Sequence, residues 1–553
     1  MADMEKGTML EIESLTSPPS ANGEEQDPPN FIVVKLHALI PNPMHRNLLL
    51  VLVGISLVVI VIVVPPLVWI CVLIGSMYGI YHLLAYKHMR LIAPFIKKKK
   101  KHPVTLVFYT VFFLSFFAMM KERYLPRKAS TVGIYDFMFY NCLGSYVITM
   151  CSCWFLELAT LLPSLLAAKC GKRWPLGGPG DDAPAEEKLL YARKKGAAAW
   201  VLIAVGMIQS AVLNYADPAV VKLTIPLKDL PPCMSGYKIS VASDIHVGPL
   251  STRKDVQTAL RLSVENGANA IAIVGDMGDQ EVTTGVMDSM APFLLHSTAN
   301  PTVPLVWTSG NHEDYKGIET WRGVVRDMGM VDVENKHFVH RGADAGFPDC
   351  DAEASVNFLG LADVQGEQMK DAPQYPESEF IAIPDLPGAV EGLAAELGTD
   401  INPSDSEATI ILNHTPVDFQ KNADAGADVQ LSGHTHGGHI FPFHVFTATY
   451  DGTSGLFETT VEGAKRSFLY VSEGAVGWGP RVRLFSRPEV TIMTLTADPS
   501  DDTEPSGNVG TTMGQFFVYV SIAIMPPTFL LLGWSCWLAR KKRSVAAAKK
   551  ERG

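Results

Sequence analysis

The stretch Leu431-Ser432-Gly433-His434-Thr435-His436-Gly437-Gly438-His439 decides how this 553-residue chain is read. Two imidazoles stand two residues apart between glycines, and an apolar run from Ala427 to Leu431, interrupted by Asp428 and Gln430, leads into them. Residues two apart in an extended segment share a face, so His434 and His436 can present their rings to two neighbouring positions on the same side. Imidazole and carboxylate are ligands for divalent transition metals.

Four other places repeat the pattern of a short apolar run that ends in a metal-competent residue. Tyr237 to Ala242 leads to Asp244-Ile245-His246, and Ala270 to Val274 leads to Gly275-Asp276. Leu305 to Trp307 leads through Thr308-Ser309-Gly310 to Asn311-His312-Glu313, and Thr409 to Leu412 leads to Asn413-His414. Such runs, separated by helix-like segments at 254–266 and 281–297, read as buried strands of an α/β sheet. Residues at successive strand ends converge on the carboxyl edge of a sheet. A carboxylate shared by two ions holds them about 3.5–4 Å apart, which lets them clamp the attacking and leaving oxygens of a phosphoryl group.

The five blocks, within about 220–495, resemble the calcineurin-like metallophosphoesterase family. They resemble its membrane-associated branch most, through Leu230-Pro231-Pro232 and Gly236-Tyr237-Lys238-Ile239 ahead of Ser243-Asp244-Ile245-His246-Val247-Gly248-Pro249. The resemblance implies an α/β metallophosphoesterase sandwich, two β-sheets flanked by helices. It implies two divalent metal ions (Mn, Fe or Zn), one held by Asp244, His246, Asp276 and His436, the other by Asp276, Asn311, His414 and His434. Asp276 would bridge them. His312 would donate a proton to the leaving oxygen or stabilise charge on the phosphoryl group, and Asp279 would orient His312. Arg481, Arg483 and His439 are the candidates for substrate contact. Gln280 stands where the family's protein phosphatases carry arginine, which argues against a protein phosphatase.

The rest of the chain has a different character. Residues 217–515 hold about 42 acidic and 18 basic side chains, roughly −24, while the whole chain carries −11. An acidic domain joined to a basic, apolar remainder argues for membrane lipids as partners and against nucleic-acid binding. Residues 1–46 read as a disordered acidic tail and 47–216 as a multi-span transmembrane region with apolar runs at 47–86, 104–120, 137–168 and 197–216. Pro65-Pro66 leaves the count between five and six spans. The catalytic domain is expected over 217–500, a linker over 501–515, a C-terminal transmembrane helix over 516–538 and a basic tail over 539–553. Basic loops at 87–103 and 169–196, with that tail, favour the cytoplasmic side and put the catalytic domain on the extracytoplasmic or lumenal side. Cys233 and Cys350, two of eight cysteines, could pair, and the acidic segment 343–407 reads as a surface insertion or, as the alternative, part of a substrate rim.

Together these readings describe a membrane-anchored dimetal phosphoesterase that uses metal-activated hydroxide on a mono- or diester or a pyrophosphate. Tethering alone suggests a lipid-linked substrate. The competing readings are a catalytically silent metal-binding receptor or scaffold, and a transporter regulated by the phosphoesterase domain. None of the seven expected ligand residues is missing, which weighs against the scaffold.

Overall fold

The computed structural model describes residues 183–507, except 249–250, 280, 370–382, 399–406, 441–442, 462–464 and 480–481, together with 148, 156, 160 and 178–179. The N-terminal tail, the expected spans at 47–86, 104–120 and 516–538, nearly all of 137–168, the basic tail, Gln280 and Arg481 lie outside the described residues.

The strands, in chain order, are β1 (Ala219–Leu227), β2 (Lys238–Ala242), β3 (Ala270–Val274), β4 (Leu305–Thr308), β5 (Val331–Asp332), β6 (Lys336–Arg341), β7 (Ser355–Gly360), β8 (Ala408–Leu412), β9 (Val429–Ser432), β10 (Gly455–Thr460), β11 (Arg466–Val471), β12 (Glu489–Ala497) and β13 (Ser506–Gly507). Among the described residues they form two sheets, ordered β13-β1-β12-β2-β3-β4-β5 and β10-β11-β9-β8-β7-β6. Strands β2, β3, β4 and β5 run parallel, as do β7, β8, β9 and β11.

Residue alternation along each strand decides what the sheets pack against. In β3, Ala270, Ala272 and Val274 face the layer between the sheets, shared with Ile410, Leu412 and Phe358 of the second sheet. Ile271 and Ile273 face the opposite way, toward helices. Those helices are α2 (Arg253–Glu265) and α3 (Thr284–Ala299), after the long α1 (Ala185–Tyr215). Thr252 and Asp255 form a capping box at the start of α2, and Thr283 accepts from the Val286 amide at the start of α3. Both devices satisfy amides that a helix start leaves unpaired. Further on come α4 (Asn311–Lys316), α5 (Ile318–Asp327), α6 (Val364–Met369), α7 (Leu386–Leu397) and α8 (Phe419–Asp424). Leu386 and Leu393 of α7 pack on Ile411 and Leu359, the outer face of the second sheet.

Three expectations meet the described residues here, and the cysteine pairing is borne out. Segment 343–407 is not a surface insertion, because β7 within it is buried along its length and pairs with β6 and β8. Cys233 and Cys350 are joined in a disulfide with Cα atoms 5.4 Å apart. The span expected near 197–216 is the second half of α1, whose first half is charged; among the described residues no helix is long and apolar enough to cross a membrane.

Candidate metal centre

Every parallel strand that carries one of the sequence blocks delivers it at its carboxyl end, so the five blocks meet at one edge of the sandwich. β2 delivers Asp244 and His246, β3 Asp276, β4 Asn311 and His312, β8 His414, and β9 His434 and His436. Among the described residues, three groups of side chains lie close enough to hold a metal ion: Asp244 with His246 and His436; His246 with Asp276 and His312; and Asp276 with His414 and His434.

The distances describe two adjoining positions. His246 Nε2 lies 3.2 Å from His436 Nε2, and Asp244 Oδ1 lies 3.4 Å from His436 Nε2. Asp276 Oδ2 stands 3.2 Å from His414 Nε2 and 3.6 Å from His246 Nε2. His434 Nδ1 is 2.8 Å from Asn311 Oδ1, while its backbone N–H donates to both oxygens of Asp244. His414 donates Nδ1–H to the Val274 carbonyl at 2.8 Å, which aims Nε2 at Asp276. His312 Nδ1 is 2.7 Å from Asp279 Oδ1, and its Nε2 is 4.0 Å from Asp276 Oδ2.

These contacts require an unusual backbone. Asp244, His246, Asp276, His434, His436 and His439 all have positive φ, between 48° and 66°. Side chains other than glycine rarely adopt this conformation, and it concentrates at functional sites. Glycine is needed beside them for a different reason. A Cβ on Gly433 would overlap Ser243 Oγ and the Asp244 carboxylate, and one on Gly310 would overlap Asp276.

Burial sets the protonation of the centre. It pushes His246 and His434 down to about 4 and His436 well below its ordinary value, so these rings are neutral near pH 7 and keep a lone pair for a metal. Burial, and then the neighbouring Asp276, raises Asp244 to about 6. Burial opposes charge on His414 and His312, but the surrounding carboxylates together outweigh it and raise both, Asp276, Asp244 and Asp363 at His414 and Asp276, Asp279 and Glu313 at His312. Neutral imidazoles converging on buried carboxylates are a donor set suited to divalent cations.

Several functional contacts come from residues that the sequence pattern passed over. Glu313 is fully buried and accepts from the amides of Asp276, Gly278 and Gly310 at 3.0, 2.8 and 2.8 Å. It ties the loop after β3 to the loop after β4. Burial, then the Asp276 charge, raises it to about 7. Asp363, after β7, accepts from Thr415 at 2.6 Å, beside His414. Tyr450 OH and Gln365 Nε2 reach His434 Nε2 at 3.0 and 3.2 Å, and Tyr315 OH donates to Gln365 at 2.6 Å. Only the position of Glu313, two residues after Asn311, offered a signal in the sequence.

The substrate candidates fare differently. Arg483 is fully buried, and its guanidinium donates to the carbonyls of Glu473, Val476, His436 and Gly474 at 2.7–3.5 Å. Its Nη donors order the loop behind His436, its Nε has no hydrogen-bond partner among the described residues, and the side chain is closed off from solvent. His439 lies beside the centre, with its ring 5.4 Å from that of His436.

Residues 237–438 match the family model described as calcineurin-like phosphoesterase. The chain is 27% identical over 398 residues to a Bos taurus protein named transmembrane protein with metallophosphoesterase domain, covering 71% of this chain and 78% of that one. A Danio rerio protein of the same name is 26% identical over 360 residues, covering 64% and 72%. Among solved structures, a dimetal phosphatase from Danio rerio aligns with 44% of this chain and 90% of its own at 11% identity and a TM-score of 0.27.

Proposed function

We propose, from the premise that residues 237–438 of this chain are a calcineurin-like metallophosphoesterase domain and the chain a metal-dependent phosphoric ester hydrolase, that its centre works with two divalent ions. The observation that carries this reading is the position of Asp276. It belongs to two of the three metal-competent groups, with Oδ2 between His414 Nε2 and His246 Nε2. Asp244, His246 and His436 would hold one ion, Asn311, His414 and His434 the other, and Asp276 both.

When bound, such ions polarise phosphoryl oxygens and lower the pKa of water. The chain's own residues supply the rest. His312, raised by Asp276 and Asp279, favours the imidazolium and presents Nε2 to the leaving oxygen as proton donor. Asp279 fixes which nitrogen faces the site by holding Nδ1. Glu313 fixes the spacing between the Asp276 and Asn311 loops through three amides. The substrate is a phosphate monoester, diester or pyrophosphate. Full-length protein in detergent, loaded with Mn²⁺ and offered chromogenic mono- and diesters, tests the assignment. Turnover should be lost in His434→Ala, and an unchanged rate in that variant would show the centre to be elsewhere.

The domain is anchored at a membrane with its centre on the extracytoplasmic or lumenal side. The relatives' printed names support the anchoring, and the Cys233–Cys350 disulfide supports the side, because such bonds persist in oxidising compartments. Protease added to sealed vesicles of known orientation reads the side directly. Digestion of the 217–515 region from the cytoplasmic face would overturn it.

A further inference from the structure

The imidazoles assigned to the two ions are held differently. For His414 and His434, assigned to the ion shared with Asn311, the ring nitrogen that faces away from the ion position has a hydrogen-bond partner. His414 donates Nδ1–H to the Val274 carbonyl at 2.8 Å. His434 brings Nδ1 to 2.8 Å from Asn311 Oδ1, so its outer nitrogen is Nε2, which lies 3.0 Å from the Tyr450 hydroxyl and 3.2 Å from the Gln365 side-chain amide. For His246 and His436 the outer nitrogen is Nδ1, because their Nε2 atoms approach each other at 3.2 Å. Neither Nδ1 has a hydrogen-bond partner among the described residues.

Tyr450 and Gln365 are built into the centre. The Tyr450 ring meets the His434 ring edge-on at 5.3 Å. Gln365 lies on α6, and its backbone N–H donates to Asp363 Oδ1 at 2.8 Å, while Asp363 Oδ2 accepts from Thr415, the residue after His414. The Gln365 side chain bonds Tyr315 at 2.6 Å, on α4, the helix that begins with Asn311. The segments that carry Asn311, His414 and His434 are therefore joined through Gln365 and Asp363.

A neutral imidazole has one ring proton and one ring lone pair. Nδ1 of His434 can give its lone pair to an ion only when the proton is on Nε2. A proton on Nδ1 would pair two ligand atoms, Nδ1 and Asn311 Oδ1, with each other. Tyr450 and Gln365 would then compete as donors for the one lone pair of Nε2. We infer that Tyr450 and Gln365 are positioning residues that hold the His434 proton on Nε2 and so keep Nδ1 for the ion shared by Asn311 and His414. This rests on the two-ion reading and adds to it what fixes the ring of one ligand. The Tyr450 hydroxyl oxygen can accept as well as donate. A half turn of the Gln365 amide puts Oε1 on His434 Nε2–H and the N–H₂ on the Tyr315 oxygen, so both contacts survive. A partner on the outer nitrogen of a metal-ligating histidine fixes its tautomer and orientation and raises its basicity.

The test is calorimetric titration of Mn²⁺ into the metal-free full chain in detergent, with Co²⁺ titrated in parallel and followed by its visible absorption. The wild type should take up two equivalents. Tyr450→Phe keeps the edge-on ring and removes the oxygen, and it should weaken one equivalent by about 10–100-fold while leaving the other unchanged. Gln365→Leu should do the same. Gln365→Glu, which can only accept, should retain the wild-type affinity. Tyr237→Phe removes a buried phenol far from the centre and should leave both equivalents as they are. The thermal midpoint in chelator, measured on each preparation, shows that the variants are folded. Two unchanged equivalents in Tyr450→Phe or in Gln365→Leu overturn the inference, as does equal weakening of both. A Gln365→Glu variant as weak as Gln365→Leu also overturns it, because the amide would then be donating to Nε2. These outcomes leave the two-ion reading intact. A wild type that takes up a single equivalent sinks that reading and this inference with it.

Discussion

The two ends of strand β2 are built in opposite ways. At the carboxyl end, Asp244 and His246 sit in left-handed backbone among buried acids and neutral imidazoles. At the amino end, Tyr237 bonds His340 at 2.6 Å and the Cys233–Cys350 disulfide ties the approach to β2 to the loop after β6. Six of the ten non-glycine residues with positive φ among the described residues belong to the first end. One end stores strain and buried charge that a cation would relieve. The other is clamped by a covalent bond and a paired hydrogen bond. The lesson is that a strained functional edge is tolerated because the same strands are secured elsewhere.

The sharpest way to break the contrast is at Asp276. Asp276→Asn keeps the shape and removes the shared charge, and kcat should fall by roughly 10³-fold or more. A second readout separates metal binding from folding. A chelator should lower the thermal midpoint of the wild type, because a ligand bound only to the folded state stabilises it. The variant's midpoint should hardly respond to the chelator. A chelator response as large as that of the wild type would mean that Asp276 does not hold the ions.

Glu313 comes next. Its two oxygens serve three amides, whereas glutamine offers one acceptor oxygen and turns an N–H₂ toward backbone donors. Glu313→Gln should weaken Mn²⁺ affinity or activity by about 10–100-fold. It should also cost a few kcal/mol of stability, at about 1–3 kcal/mol per buried donor left unpaired. Titration calorimetry with Mn²⁺ checks it. Unchanged affinity in a folded variant would show that the clasp does not set the geometry of the centre.

The contrast also explains what was legible in the sequence. Strands such as Ala270–Val274 and Thr409–Leu412 are readable because a strand buried on both faces is a continuous apolar run, and its end is marked by the polar residue it delivers. Fold class therefore followed from local pattern. Asp363, Gln365 and Tyr450 were not readable as site residues, since their roles depend on loop paths that bring distant segments to the same few atoms. Arg483 misled for the opposite reason. Near a glycine-rich loop an arginine reads as an exposed cation, and only the fold shows that Arg483 is buried with its Nη donors on backbone carbonyls. β7 was hidden in 343–407 because its flanks are acidic and rich in proline and glycine, which masks six buried residues between them. Positive φ at aspartate and histidine has no sequence signature at all.

At the clamped end, the disulfide closes a loop of 117 residues. Cys350→Ser should destabilise the domain by about 5 kcal/mol, the entropy returned to an unfolded chain of that loop length. It should leave kcat/KM within about twofold at a temperature where the variant is folded. Urea unfolding and a chromogenic assay on one preparation check both halves. Loss of activity in parallel with stability would mean that the two ends are coupled, and that the clamp also sets the centre.

The smallest expected effect tests whether one physical device serves both ends. Burial pushes His340 down to about 4, against a pull in the other direction from Asp344, and burial raises the Tyr237 phenol. The phenol is therefore the donor, and neutral His340 Nδ1 accepts. The unfolded chain takes up a proton near 6.5, whereas the folded one resists until about 4. Between those values the unfolded state binds more protons, so stability is full above about 6.5 and declines as pH falls toward 4. The full window is worth at most about 3 kcal/mol, and the part between pH 7 and 5 about 2 kcal/mol. Urea midpoints at those two pH values should differ by that much more in the wild type than in His340→Gln, which keeps an acceptor for Tyr237 without the titration. An equal pH dependence in the two proteins would assign it to other groups. At the functional end, burial keeps His246 and His436 neutral so that their lone pairs are available to a cation. At the clamped end, the same desolvation leaves a lone pair for a phenol, and the difference in use comes from whether a carboxylate or a hydroxyl faces the ring.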